Sequence, residues 1–385
     1  MCKIKKITAP SFLLFLSLLS THVNAASYYG TDFCLSAPAA GQAGSTALDK
    51  DDSHIIAWAS GYTNLVYGQE VADNWKTPEK ALGKAVGTSF DIVCLGRGGH
   101  ITLTFPRGIG NRPGDDFAIF ENGFSDTFLE LAYVEVSSDG IHFVRFPNYS
   151  YTTTPVDGFG SVTTELIYGM ASKYKQGFGH PFDLEELKTA YKAQQEGHTD
   201  FSASFAANLL ANFPLLNLDH ITHIRIVDIV GDGSAKDCRD ETVYDPYPTT
   251  GSAGFDLDAI AVMHESFISY TNWAIAHGVS ADGKGDSDGD GVVDFQEYMF
   301  GGDPNMKNIA PRSKLKKESG SEIAICYSLS RSAFGQIHIK TSPDLSTWTQ
   351  ATPLRVEQEL KDEFIEVRHI FSWNSPISFF RIEFE

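Results

Sequence analysis

Three aspartates at alternate positions, Asp286, Asp288 and Asp290, are followed by Asp294 and then Glu297 within the twelve residues DSDGDGVVDFQE. In a tightly curling loop alternate side chains point inward, so carboxylates at every second position converge on one point. Four or five carboxylates around one point repel unless a hard cation sits among them. Gly291 permits the sharp turn that a Cβ would block, Val292 offers a backbone carbonyl, and Val293 supplies an apolar plug. A two-oxygen grip from Glu297 favours calcium over magnesium, which demands strict octahedral geometry. The predicted ligand set is therefore Asp286, Asp288, Asp290, Val292 through its carbonyl, Asp294 through water, and Glu297, with calcium as the cofactor. The alternative is a solvated acidic linker.

The segment resembles the calcium loop of an EF-hand at every ligand position. An entering helix is predicted over Tyr270 to His277, with Trp273, Ile275 and Ala276 as its apolar residues, followed by a spacer from Ala281 to Gly285. An exiting helix carries Phe295, Tyr298 and Met299 on one face and is stopped by Gly301, Gly302 and Pro304. The loop occurs once, whereas sensor EF-hands work in pairs. It is similar to the single aspartate-rich repeats of the dockerin or thrombospondin type 3 kind, which implies a calcium-rigidified hinge in a secreted bacterial surface protein.

A second acid-rich stretch runs from Asp228 to Asp258, where eight acids stand against Lys236 and Arg239. Asp256 and Asp258 alternate with Phe255, Leu257 and Ala259, so both carboxylates share one strand face. A second calcium site is expected from Asp256 or Asp258 with Glu121 or Asp232. The competing reading is that these aspartates cap turns and accept backbone amides. For catalysis the chain offers no HExxH, no GxSxG, no P-loop and no dinucleotide fingerprint. A glycosidase-like pair from Glu121 and Glu135 is the enzymatic alternative, directed at polysaccharide by hydrolysis or elimination. No catalytic residue is assigned.

These residues must be positioned by a chain whose strand signals dominate. His100 to Phe105, Phe117 to Phe120, Tyr133 to Val136 and His223 to Asp228 read as short strands. Turns are clearest at Gly108 to Asp115, Ser137 to Gly140 and Gly231 to Ser234, and the fold class is a mainly β, jelly-roll-like sandwich. A helical insertion at about 183–210 opens with Asp183 as cap and places Leu184, Leu187 and Tyr191 on one face.

Residues Trp75 to Glu265 resemble discoidin or galactose-binding jelly rolls of bacterial cell-surface proteins. The carrying segments are Ala81 to Gly83, Leu95 to Gly99, Asp116 to Asn122, Val134 to Gly140, Ile224 to Asp228 and Phe255 to Ile260. Phe143 stands where such domains often carry tryptophan. The resemblance implies ligand binding in loops at one end of the sandwich, directed at a glycan or other extracellular surface ligand. Exposed aromatics would then form a sugar-stacking face, and Tyr28, Tyr29, Trp58, Tyr62, Tyr67 and Trp75 are candidates near the N-terminal edge.

Lys3, Lys5 and Lys6 before the apolar run Phe12 to Leu19, with Val23-Asn24-Ala25 after it, predict a cleaved export signal over 1–25. Cys2 precedes the apolar run and is no lipid-attachment site. Loss of the three lysines takes the net charge from −19 to −22, which repels nucleic acid and attracts divalent cations. No stretch reaches the ~20 apolar residues of a membrane helix. Cys34, Cys94, Cys238 and Cys326 remain without a CxxC pair, so one or two disulfides among three possible pairings stay open. The expected organisation is a binding domain over 26–266, a helix with the calcium loop over 267–305, a basic linker over 306–320, and a small β module over 321–385; this module resembles the C-terminal β modules that follow an aspartate-rich loop in secreted bacterial proteins, which implies a sorting role, with a folding cap as the alternative. In that module Ser342 to Trp348 repeats the logic of Ser137 to Phe143, and Phe379, Phe380 and Phe384 are expected to close the core. A monomer is expected.

Overall fold

The computed structural model describes residues 36–88, 90–307, 313–331, 333, 335, 337–361, 364–372 and 379–384. The predicted export signal, Tyr28, Tyr29 and Cys34 lie outside them. The described chain forms two compact units, one ending at Ser266 and the other beginning at Phe267.

In the first unit alternation becomes a β-sandwich of two antiparallel sheets. One sheet orders Leu48–Asp49, Phe178–Phe182, Phe117–Glu121, Asp256–Val262 and Ala57–Trp58, with Val93–Cys94 also on Asp256–Val262. The other orders Met170–Ala171, Ala132–Ser137, Ile221–Asp228, His100–Ile109 and Gly61–Val66, with Val144–Arg145 on Ala132–Ser137. The core between them takes Phe117, Ile119, Leu257 and Ile260 from the first sheet, and Ile101, Leu103, Val134, Val136, Ile224 and Ile226 from the second. Phe117–Glu121 and Asp256–Val262 are buried along their whole length, because Trp58, Leu48 and Ile55 cover the outer face at Ala118, Phe120, Ala259 and Ala261. Any carboxylate on these two strands is therefore drawn inside with them.

The helical insertion is two helices, Glu185–Gln195 and Ala203–Asn212. Asp183 accepts the Glu185 amide at 2.8 Å, and Ser202 caps the second helix through the Phe205 amide. The turn expected at Gly231 to Ser234 is instead mostly strand: Asp232–Lys236 forms a hairpin with Thr242–Tyr244. Cys94, Cys238 and Cys326 are free thiols. Cys94 donates to the Ala253 carbonyl, and burial pushes the Cys94 and Cys238 thiols up.

In the second unit the helices Tyr270–His277 and Asp294–Phe300 flank the acidic loop and precede a small β structure. Its four-stranded sheet orders Lys314–Lys317, Glu322–Ser330, Phe364–Ser372 and Arg355–Leu360. Its three-stranded sheet orders Thr349–Gln350, Ile337–Ser342 and Phe379–Phe384. The linker reading of 306–320 needs correction, since Lys314–Lys317 pairs with Glu322–Ser330 as an edge strand; lysines at an edge discourage further strand addition. Phe379 is also corrected, being 37% exposed, while Phe380 and Phe384 pack on the core of Ile323, Ile325, Ile339, Val367 and Phe371.

Phe300 belongs to that same core, and its ring meets Phe384 edge-on at 5.3 Å. The helix leaving the acidic loop is thus built into the C-terminal β module, which a freely standing hinge would not be. Gly301 ends it at φ +75°, where an added Cβ would lie 2.6 Å from Phe364 Cε1.

Candidate metal centre

The acidic loop is shaped before any ion arrives. Asp286 accepts amides from Gly289 at 2.9 Å, Asp290 at 3.1 Å and Gly291 at 3.0 Å. Asp288 accepts the Asp290 amide and Asp290 accepts the Val292 amide, each through Oδ1. Gly289 and Gly291 take left-handed φ of +72° and +95°, which lets the backbone curl this tightly. One oxygen each from Asp286, Asp288 and Asp290 lies within 4.8 Å of the others.

The oxygens left over face inward. Asp288 Oδ2, Asp290 Oδ2 and both Glu297 carboxylate oxygens are buried without a hydrogen-bond partner. Glu297 itself is 0% exposed. Burial, followed by the charges of Asp288, Asp290, Asp294 and Asp286, pushes its carboxyl up to about 7. A buried carboxylate facing others is costly without a cation, and this loop holds that cost ready for an ion to relieve. Asp294, also buried, turns both oxygens to Ser287, from whose amide and hydroxyl it accepts at 2.9 and 2.8 Å. It closes the loop, in which Val292 is fixed through its amide to Asp290.

The two flanking helices meet through aromatic rings. Tyr270 stands edge-on to Phe295 at 5.0 Å and to Tyr298 at 5.5 Å, and Trp273 meets Tyr298 at 5.6 Å. Tyr298 donates its hydroxyl to the Ile268 carbonyl. Of the apolar residues named for the entering helix, Ile275 and Ala276 are exposed and Trp273 is half-buried, while Ala274 is buried and Tyr270 packs its ring against Trp273.

The second predicted calcium set is partly dispersed. Asp232 is exposed on its hairpin and accepts from its neighbour Ser234, so it joins no other predicted ligand. Asp258 accepts the amides of Val86 and Gly87 at 3.1 and 2.8 Å, the turn-capping role weighed against metal. Asp228 likewise accepts Gly98 at 2.7 Å and Phe255 at 2.7 Å. The glycine-rich turn at Leu95 to Gly99 thereby serves a carboxylate. Burial still pushes Asp228 up to about 7 and Asp258 up to about 6. Glu121 and Asp256 are both buried near one end of the sandwich, and Glu130, which no spacing pattern singles out, is buried where the charges of both act on it.

The structure separates Glu121 and Glu135, the pair weighed for catalysis, between two sheets. Glu135 is clasped by Arg145 and Arg225, with Nε donors at 2.9 and 2.6 Å. The loop end carries an aromatic row that sequence reasoning missed. Phe124 and Phe128 lie 5.7 Å apart with planes 27° from parallel, and Phe128 and Phe159 lie 6.2 Å apart at 20°. Phe124 is 59% and Phe159 92% exposed. The predicted aromatics differ: Trp58 packs against Phe120, while Tyr62 is exposed and Trp75 stacks on exposed Phe90.

Compared with known proteins, the chain matches no family model, no curated protein and no solved structure. Among the described residues no helix is long and apolar enough to cross a membrane.

Proposed function

We propose that this is an exported calcium-binding surface protein whose first unit is a non-catalytic ligand-binding domain directed at glycans. The observation that carries the calcium reading is the set of four buried carboxylate oxygens, on Asp288, Asp290 and Glu297, that have no protein partner and share one loop. Calcium suits an all-oxygen, uneven donor set, with Asp286, Asp288, Asp290, the Val292 carbonyl and Glu297 as ligands and Asp294 acting through water. Support for the ligand-binding reading comes from the near-parallel Phe124, Phe128 and Phe159 rings at the loop end. Sugar rings present C–H faces that stack on such surfaces. Export rests on the basic, apolar and small-residue pattern of the first 25 residues.

Isothermal titration of the chain with calcium tests the metal reading. The expected dissociation constant is about 10⁻⁴ to 10⁻³ M, the range of extracellular modules, with much weaker binding of magnesium. Glu297→Gln should weaken the loop's binding most. Unchanged calcium binding in that variant would reduce the loop to an acidic connector.

A further inference from the structure

The helix Asp294–Phe300 has only seven residues, and five of them, Asp294, Glu297, Tyr298, Met299 and Phe300, are buried. Its first turn belongs to the acidic loop. Asp294 is bonded to Ser287, and both oxygens of Glu297 are buried without a partner. Its last turn belongs to the β module: the Phe300 ring lies in the module core, 5.3 Å from Phe384 and 6.3 Å from Tyr327, and Phe295 meets Phe384 at 6.3 Å.

The chain on either side repeats this double attachment. The Gly302 amide donates to the Glu297 carbonyl at 2.7 Å, and a Cβ at Gly302 would lie 3.0 Å from Glu297 Cβ and 3.1 Å from Oε1, so the buried acid packs against the exit to the module. Ile268, whose carbonyl accepts the Tyr298 hydroxyl, forms a parallel bridge with Ala333 of the module. Asn305 donates its side-chain amide to the His277 carbonyl at 2.9 Å, joining the exit to the entering helix. A helix of two turns is unstable in water by itself, so this one forms only while both of its ends are engaged. The module end is engaged by apolar contacts. The loop end buries carboxylate oxygens that water would hydrate if the first turn unwound, and a cation removes that drive.

We propose that calcium at the acidic loop regulates closure of the C-terminal β module, because the ion-bound loop and the core around Phe300 form and open as one unit. This rests on the calcium reading of the loop and adds to it the part of the chain that the ion controls. The strands from Glu322 to Phe384 lie outside the ligand set, so the ion acts on them through the helix and the Ile268 bridge. An ion that binds the closed form and not the open one multiplies the ratio of closed to open by one plus its concentration over Kd, about elevenfold at about ten times Kd. For an exported chain, the module tightens on reaching calcium outside the cell.

Hydrogen–deuterium exchange of the full chain, in chelator and at calcium about ten times the Kd found by calorimetry, tests the coupling. Amides of Glu322–Ser330 and Phe364–Ser372 are expected to exchange about tenfold more slowly with calcium, while His100–Ile109 of the first unit is unchanged and magnesium does not reproduce the effect. Glu297→Gln should abolish the slowing. Calcium that binds the parent chain but slows exchange only within 286–300 overturns the coupling and leaves the calcium reading standing. Slowing of the module that persists undiminished in Glu297→Gln overturns it too, since the ion would then act from elsewhere. A parent chain that binds no calcium overturns the calcium reading and the coupling with it. Should Glu297→Gln leave the module open in calcium and chelator alike, Asp288→Asn, which keeps the acceptor for the Asp290 amide, makes the decisive comparison.

Discussion

Asp294 receives both the amide and the hydroxyl of Ser287, seven residues earlier in the chain, and this double hydrogen bond closes the acidic loop at its neck. A carboxylate so engaged positions the ion's ligands more than it touches the ion. Ser287→Ala should therefore weaken calcium binding by about tenfold, the usual size of an outer-shell loss, while Glu297→Gln should weaken it more. Titration calorimetry of both variants checks the order. A Ser287→Ala chain that binds as tightly as the parent would show that the neck is not needed.

The raised carboxyl of Glu297 gives calcium binding a pH dependence. Below about 7 the ion-free loop holds a proton on Glu297, which calcium must displace. Affinity should fall as pH drops from 7.5 to 5.5, approaching about tenfold per unit if one proton is displaced. Kd measured across that range is the check, and a flat profile would mean that Glu297 is not a ligand.

In the first unit several acids sit above their ordinary values through burial: Asp228 at about 7, Asp258 at about 6, Asp183 at about 6, and Glu186, bonded to Tyr168, at about 8. Each holds its proton more tightly folded than unfolded, so stability is greatest below the unfolded values near 4 and declines as pH rises through about 6 to 8. Urea midpoints in chelator should be higher at pH 5.5 than at pH 8. The opposite order would show that these carboxylates are stabilised in their charged form.

Phe159 is so exposed that Phe159→Ala should change stability by less than about 0.5 kcal/mol. If the aromatic row is the ligand face, the same change should cost about 1 kcal/mol or more of binding to glycans selected on an array. Unaltered glycan binding with Phe124→Ala and Phe159→Ala combined would remove the row from the ligand site.

Gly301→Ala should destabilise the second unit by about 1 to 2 kcal/mol, through its left-handed φ alone. The clash with Phe364 adds to this. Thermal unfolding of the chain reads it directly.

The convergence of Asp286, Asp288 and Asp290 was legible because these residues are sequential, so no distant residue is needed to define the geometry. The sandwich strands were legible for a similar reason, since alternation at His100 to Phe105 or His223 to Asp228 is a local record of one buried face. Glu130 was not, because its burial among the charges of Asp256, Asp245 and Glu121 depends on how two sheets close over a loop. Asp232 misled for the converse reason, since its hairpin carries it away from acids that are near in sequence. Lys314–Lys317 reads as linker by composition, yet an edge strand needs only a partner's free backbone.

The Ser137 to Phe143 turn and the Ser342 to Trp348 turn share their bonding as well as their spacing. Asp139 accepts two amides at 2.8 Å and Asp344 two at 2.9 and 3.0 Å, with an arginine over each following ring, Arg225 on Phe143 and Arg381 on Trp348. Leu345 accepts at φ +64° the backbone shape that Gly140 takes at φ +74°. The self-contained bonding that produced this turn twice also allowed it to be seen in sequence.

The edge-on meeting of Phe300 with Phe384 ties the acidic loop to the last described strand of the chain. A load applied across the C-terminal module is thus shared between its strand ladder and the helix that leaves the acidic loop. Under the calcium reading proposed above, ambient calcium would set how much tension the module bears before it yields, turning a small chemical site into a mechanical adjustment.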